Sequence, residues 1–275
     1  MQKRSPTIFW LLLAATISVD AVVVASCWRS RDSSLSVMLA LGLAFGELSA
    51  LCVWTIFARP TTRLRWLFAY SAATLAAVVI VPIFPDPLPN IHVVEVIVGF
   101  ALFFWLHVSL VLGSLWITKQ LRFSHAYRTG DARAPWQVSM FQLLIVTTIL
   151  ALTMGLYNKT TVFTGKVLIL VSLWCVVNAA LATCGVLSRS RIRHIAMRLA
   201  AFVGIAIGSC VLLFVLSTAI ERTSLRDISE PMAAQIIQAA VLFVWMECVP
   251  IVPTPDSSPV AVKRESTSTA TDIER

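Results

Sequence analysis

Four polar side chains that could carry chemistry lie inside stretches of the chain that are otherwise apolar. They are Asp20, Glu47, His107 and Asn178. The two carboxyl groups and the imidazole can bind and release protons, and the amide can both donate and accept hydrogen bonds. Ionisable groups are costly at the centre of a bilayer, so those found there face the interior of a helix bundle or a polar pathway.

The positions of these four residues within their apolar stretches predict a common depth. Glu47 lies at the centre of its stretch, and the other three lie a few residues beyond the centres of theirs. At 1.5 Å of rise per helical residue, the offsets of Asp20 and His107 amount to only about 3–5 Å. We therefore predict a buried layer formed by Asp20, Glu47, His107 and Asn178, which either binds protons or holds the helices together through hydrogen bonds.

The composition predicts that these apolar stretches cross a membrane. Hydrophobic residues make up 58% of the 275 residues and charged residues only 13%, against about 25% charged in a typical soluble domain. Apolar runs of roughly 20 residues predict membrane-crossing helices, and we see no alternating pattern of the kind that barrel strands require. We predict an all-α bundle of about eight spans without a soluble domain. The spans are Thr7–Cys27, Ser36–Phe57, Trp66–Phe84, His92–Thr118, Val138–Tyr157, Phe163–Leu187, Leu199–Ile220 and Met232–Val252.

The distribution of basic residues predicts the orientation. With the N-terminus inside, 16 of the 22 Lys and Arg residues fall in inner segments and 6 in outer ones. Because basic residues favour the cytoplasmic side, we expect a protein of the inner membrane with both termini in the cytoplasm. The net charge of +8 then reflects inner loops that meet anionic lipid headgroups. We expect no binding of nucleic acid, and the sequence names no protein partner.

The two ends of the chain carry separate expectations. Residues 1–252 form the predicted membrane domain, and the polar, Ser/Thr-rich residues 253–275 form a predicted disordered cytoplasmic tail. The stretch "VASC" at Val24–Cys27 resembles the cleavage box of bacterial lipoproteins. However, Asp20 lies in what would be the apolar core of the signal peptide, where charge is unusual. We therefore expect the first span to be retained.

Small residues predict where helices approach closely. Gly42 and Gly46 form a G-x-x-x-G pair in the second span, and Gly204 and Gly208 form another in the seventh. Small residues at this spacing allow two helix backbones to come together. Spans two and three also resemble spans six and seven, as helix pairs around a basic turn. The positive-inside bias produces this likeness by itself, so it does not establish an internal duplication.

Absent motifs limit the chemistry. The chain has no H-E-x-x-H, G-x-S-x-G, Walker or G-x-G-x-x-G motif, and its six cysteines form no C-x-x-C pair. We expect no metal, cofactor or disulfide framework, and we favour a protein that is not an enzyme. Three functions stay open. The first is a structural or accessory membrane protein with a polar packing layer, the second is a small proton-coupled transporter or channel that uses Asp20, Glu47 and His107, and the third is an intramembrane enzyme.

Overall fold

The described residues are helical almost throughout. The computed structural model describes residues 16, 18–19, 21–23, 25–26, 34–57, 63–81, 93–123, 165–221 and 225–248. Within these ranges only the connection 192–194 is not helical, and no strand occurs. The predicted all-α class is confirmed for this part of the chain. Asp20, Cys27, the fifth predicted span and the predicted tail lie outside it.

Six helices make up most of the described structure. They are α1 (Ser34–Phe57), α2 (Arg63–Ile80), α3 (Val93–Phe123), α4 (Gly165–Arg191), α5 (Ile195–Glu221) and α6 (Leu225–Cys248). Long apolar runs become helices because a helix satisfies its own backbone hydrogen bonds without water. Each of the six coincides with one of the predicted spans.

Four of these helices contain a stretch that is long and apolar enough to cross a membrane. The stretches are Val37–Phe57, Val93–Lys119, Val171–Arg191 and Ile195–Val215, in α1, α3, α4 and α5. The apolar stretches of α2 and α6 are shorter. The four long stretches are compatible with an integral membrane protein. The remaining four of the eight predicted spans stay predictions.

The helix ends differ from the predicted span ends where local chemistry overrides hydropathy. The helix α2 ends at Ile80, two residues before Pro82, whose ring disfavours α-helix in the residue that precedes it; residues 82–84 of the third predicted span lie outside the described residues. In contrast, α3 continues past the predicted end at Thr118 to Phe123. Hydropathy marks the apolar part of a helix, whereas the helix itself can run on into polar surroundings.

The helices form two triplets with the same packing pattern. In the first triplet α2 packs against α1 and α3, which also contact each other, and in the second α5 packs against α4 and α6, which likewise meet. The triplets join through α1 against α6 and α3 against α4, and α1 also touches α4. Exchanging α1 with α4, α2 with α5 and α3 with α6 leaves these pairings unchanged. The described helices thus have the contact pattern of an approximate twofold repeat.

Hydrogen bonds between side chains tie the first triplet together. The indole Nε1 of Trp105 donates to Thr74 Oγ1 at 3.0 Å, and the hydroxyls of Tyr70 and Ser109 share a hydrogen bond of 2.9 Å. Both pairs join α2 to α3. The helices α2 and α5 also carry many exposed apolar side chains, whereas most of the apolar stretch of α1 is buried. The second and fifth helices therefore lie at the periphery, and α1 lies in the core.

Candidate functional site

His107 is the predicted site residue whose surroundings are best defined. It lies on α3 and is completely buried. Its Nε2 shares a hydrogen bond of 3.1 Å with the hydroxyl of Ser49 on α1. Its ring stands edge-on to Phe45, with the centroids 4.7 Å apart. The other ring nitrogen, Nδ1, is buried and has no hydrogen-bond partner in the described structure, so the imidazole retains one site for a further donor or acceptor.

Asn178 lies on α4 near the same part of α1. Its side chain is wholly buried, and neither amide atom has a hydrogen-bond partner within the described ranges. Trp174, one helical turn earlier, packs against Phe45 with the ring centroids 5.7 Å apart. Phe45 therefore contacts the rings of both His107 and Trp174. Through Phe45, the part of α3 around His107 and the part of α4 one turn before Asn178 lie at a similar level of the bundle.

Glu47 points away from this contact. It is half-buried in the middle of α1, two residues from Ser49. Because successive helical residues are about 100° apart, Glu47 lies on the opposite side of α1 from the surface that meets His107. The structure thus brings His107 to Ser49 and not to Glu47. Asp20, the remaining member of the predicted layer, lies outside the described residues.

Two glutamines that the sequence reasoning did not place in the layer belong to the same core. Gln235 and Gln238 on α6 are both completely buried, and no amide atom of either has a hydrogen-bond partner among the residues that the structure describes. The backbone oxygen of Gln238 lies 3.2 Å from the point where a Cβ on Gly46 would be. Gln238 is therefore level with the middle of α1. The available signal is the presence of three polar residues, Gln235, Gln238 and Glu247, within the eighth predicted span.

The four predicted packing glycines occupy two different environments. A Cβ on Gly42 would lie 2.5 Å from the backbone oxygen of Ala234, and one on Gly46 would lie 2.7 Å from Cβ of Val241. Both are distances between α1 and α6, so these glycines permit the close approach of the two helices. In contrast, a Cβ on Gly204 or Gly208 would meet nothing within 4 Å. Those two glycines lie on an open face of α5.

An ionic cluster connects the ends of the second triplet. Glu247 on α6 accepts a hydrogen bond of 2.7 Å from Nη2 of Arg198 on α5, and its other oxygen lies 3.7 Å from Nη1 of Arg189 on α4. The sequence analysis gave Glu247 no partner. Its partners lie 49 and 58 positions away along the chain, a separation that no local pattern can reveal.

The polar groups of the described core suit hydrogen bonding to a neutral group better than metal binding. No group of three His, Cys, Asp or Glu side chains in the described ranges could hold a metal ion. The described core instead offers the amides of Asn178, Gln235 and Gln238 and one ring nitrogen of His107. Each side-chain amide has two N–H donors and one oxygen that can accept two hydrogen bonds. Such a set complements water or an uncharged polar solute.

The comparisons with known proteins give no family to which this chain could be assigned. No family model, no curated protein and no solved structure matches it.

Proposed function

We propose that the protein is an eight-span transporter or channel of the inner membrane, which admits a small polar solute to a layer of buried amides. Both termini lie in the cytoplasm, residues 1–252 form the membrane domain, and 253–275 form a polar tail. The observation that supports this proposal is the set of three wholly buried amides, Asn178, Gln235 and Gln238, whose atoms have no hydrogen-bond partner within the described structure.

The argument rests on the cost of burying an amide. A polar group that is buried without a hydrogen bond destabilises a protein by roughly 1–3 kcal/mol. A layer whose only role was to hold helices in register would form hydrogen bonds within itself. The amides of Asn178, Gln235 and Gln238 do not. Water or a solute that enters the layer would supply the missing partners, and a path for such molecules is what a transporter or channel requires.

The proposed layer also contains groups that could couple transport to protons. His107 retains one buried ring nitrogen without a partner in the described part of the chain. Glu47 lies on the other side of α1, and Asp20 belongs to the first predicted span. We assign proton binding to these three residues and solute binding to the amides.

A second candidate is a structural or accessory membrane protein, and specific contacts favour it. His107 pairs with Ser49, and Thr183 donates to Ser114 Oγ at 3.0 Å between α4 and α3. Interhelical hydrogen bonds of this kind contribute about 0.6 kcal/mol each on average. They account for the hydroxyl groups of Ser49, Ser114 and Thr183 and for one nitrogen of His107, and they leave the three amides unexplained.

The two candidates predict opposite changes in stability when an amide is replaced by a hydrocarbon. We expect Gln238→Leu to leave the melting temperature of the purified protein unchanged or to raise it, because leucine fills a similar volume and removes an unsatisfied amide. A packing role predicts a lower melting temperature. Thr183→Val is the matched control, since it removes an observed hydrogen bond to Ser114 and should lower stability slightly.

The same variants test transport directly. Proteoliposomes would be assayed by stopped-flow light scattering for water, urea and glycerol, and by a trapped pH-sensitive dye for protons. We expect the wild type to pass at least one of these, Gln238→Leu to reduce that flux at least about tenfold, and Thr183→Val to retain it. Wild-type flux equal to that of empty liposomes for every permeant would refute the proposal. A Gln238→Leu variant that loses stability and keeps flux would favour the packing role.

A further inference from the structure

The cluster of Arg189, Arg198 and Glu247 carries more positive than negative charge at a place where little water reaches it. Two guanidinium groups share one carboxylate, and the side chains of Arg189 and Arg198 are only 6% and 14% exposed. Arg198 donates through Nη2 to Glu247 and through Nη1 to the backbone oxygens of Ile192 and Arg193. Its Nε is buried and has no hydrogen-bond partner within the described structure. The cluster can therefore accommodate an additional anionic acceptor.

The cluster lies where two candidate membrane-crossing stretches meet. Val171–Arg191 ends and Ile195–Val215 begins on either side of the connection 192–194. Arg191, Arg193 and His194 in and beside this connection are exposed. A basic turn at the end of two apolar helices lies at the depth of lipid headgroups, where anionic lipids attract Lys and Arg.

The face of α5 that begins beside this turn is apolar, and none of the described helices covers it. Met197, Ile207 and Val211 are all more than half exposed. Between them Gly204 and Gly208 have no atoms within 4 Å of where a side chain would begin. A hydrocarbon chain could lie close to the helix backbone along this strip. The strip by itself indicates only contact with lipid, but it is continuous with a site for a negative charge.

We propose that the end of α5 beside the 192–194 connection is a binding site for an anionic phospholipid. Arg198, positioned by Glu247, and Arg193 bind the phosphate, and an acyl chain lies along Gly204 and Gly208. A phospholipid supplies both a phosphate for the arginines and a hydrocarbon chain for the apolar face, whereas a soluble phosphate compound supplies only the phosphate. This site is separate from the amide layer, and it does not depend on the proposed transport function.

The test measures lipid binding to the full-length protein in detergent. Native mass spectrometry would count bound lipids during titration with phosphatidylglycerol or with phosphatidylcholine of the same acyl chains, and melting temperatures would be recorded in parallel. We expect phosphatidylglycerol to bind more tightly and to raise the melting temperature more. Arg193→Gln and Arg198→Gln should each lower its affinity about fivefold, as expected for the loss of one basic residue at an anionic surface.

Two controls keep the proposal falsifiable. Arg65→Gln changes a basic residue near the start of α2, the helix of the first triplet that corresponds to α5. It should leave the affinity for phosphatidylglycerol unchanged. Arg193→Gln covers the case in which Arg198→Gln does not fold, since the side chain of Arg193 is exposed. Equal affinity for the two lipids, or equal losses in Arg193→Gln and Arg65→Gln, would overturn the proposal. Inorganic phosphate that stabilises the protein as strongly as phosphatidylglycerol would assign the site to a soluble anion instead.

Discussion

The contact between α1 and α6 makes Gly42→Ala the most informative single substitution in the described core. Adding one methyl group at this position places a Cβ 2.5 Å from the backbone oxygen of Ala234 and 3.0 Å from its Cα. Real Cβ atoms essentially never come within 3.0 Å of a heavy atom that belongs to another part of the chain. Both partners are backbone atoms, so a side-chain rotation cannot relieve the contact. The two helices must separate by about half an ångström or more.

The expected loss of stability follows from two opposing effects. Overpacking of a tight core typically costs about 1–3 kcal/mol, whereas replacing glycine by alanine inside a helix contributes up to about 1 kcal/mol in favour of the helix. We expect a net destabilisation of about 1–2 kcal/mol for Gly42→Ala. For a chain of this size that corresponds to a fall in melting temperature of about 2–8 °C. Gly46→Ala should cost less, because its closest neighbour is the side chain of Val241.

The matched controls come from the second glycine pair. Gly204→Ala and Gly208→Ala make the same chemical change on the open face of α5, where a Cβ meets nothing within 4 Å. They should leave the melting temperature unchanged or raise it slightly. Thermal unfolding in detergent, followed by far-ultraviolet circular dichroism, measures all four variants. If Gly42→Ala were as stable as Gly204→Ala, the close approach of α1 and α6 would be wrong.

Three further results are expected. A double-mutant cycle of His107→Ala and Ser49→Ala, measured by thermal unfolding, should give a coupling energy of about 0.6 kcal/mol, the average for interhelical hydrogen bonds in membranes; a coupling of zero would contradict the observed pair. Glu247→Ala should destabilise the protein by roughly 2–3 kcal/mol, somewhat less than the loss of a partner in a fully buried ion pair, and restoring neutrality with a second change, Arg198→Met, should recover part of that loss. A cysteine at Ser190, in a background without native cysteines, should react with a membrane-impermeant reagent only after the cells are opened, and labelling in intact cells would reverse the predicted orientation.

The positions of the helices could be predicted because apolar length is a local property. The second predicted span, Ser36–Phe57, differs from α1 by two residues at its start and none at its end. The fourth predicted span, His92–Thr118, ends one residue before the apolar stretch of α3 ends at Lys119, and the helix itself continues to Phe123 through polar residues that hydropathy does not mark.

The composition of the polar layer could be predicted only in part, because depth and direction are different quantities. Counting residues along each span predicts a depth for Glu47, His107 and Asn178, and it predicts nothing about the side of the helix on which each lies. Which side of a helix meets which neighbour depends on its rotation, and that rotation is fixed by contacts such as Phe45 with His107. For the same reason Gly42 and Gly208 have identical sequence signals and different environments. The sequence contains the motif, and the fold decides whether another helix lies opposite it.

The two-triplet arrangement suggests why the amides of Asn178 and Gln238 lack hydrogen-bond partners within the described structure. The hydrogen bonds of Tyr70 and Trp105 lie within the first triplet, and the ion pair of Glu247 lies within the second. The amides of Asn178 and Gln238 lie on helices that meet the other triplet, through α4 against α3 and α6 against α1. In transporters built from repeats, the substrate site lies between the repeats, since that is where the two halves move relative to each other. Permanent hydrogen bonds would hold a side chain in one state, whereas a side chain at such a site has to change its contacts when the two halves move. Asn178 and Gln238 fit the proposed mechanism because their amides are buried without a hydrogen-bond partner in the described structure, on helices where the two triplets meet, and the hydrogen bond of Thr183 with Ser114 between α4 and α3 is a contact that such a movement would have to break.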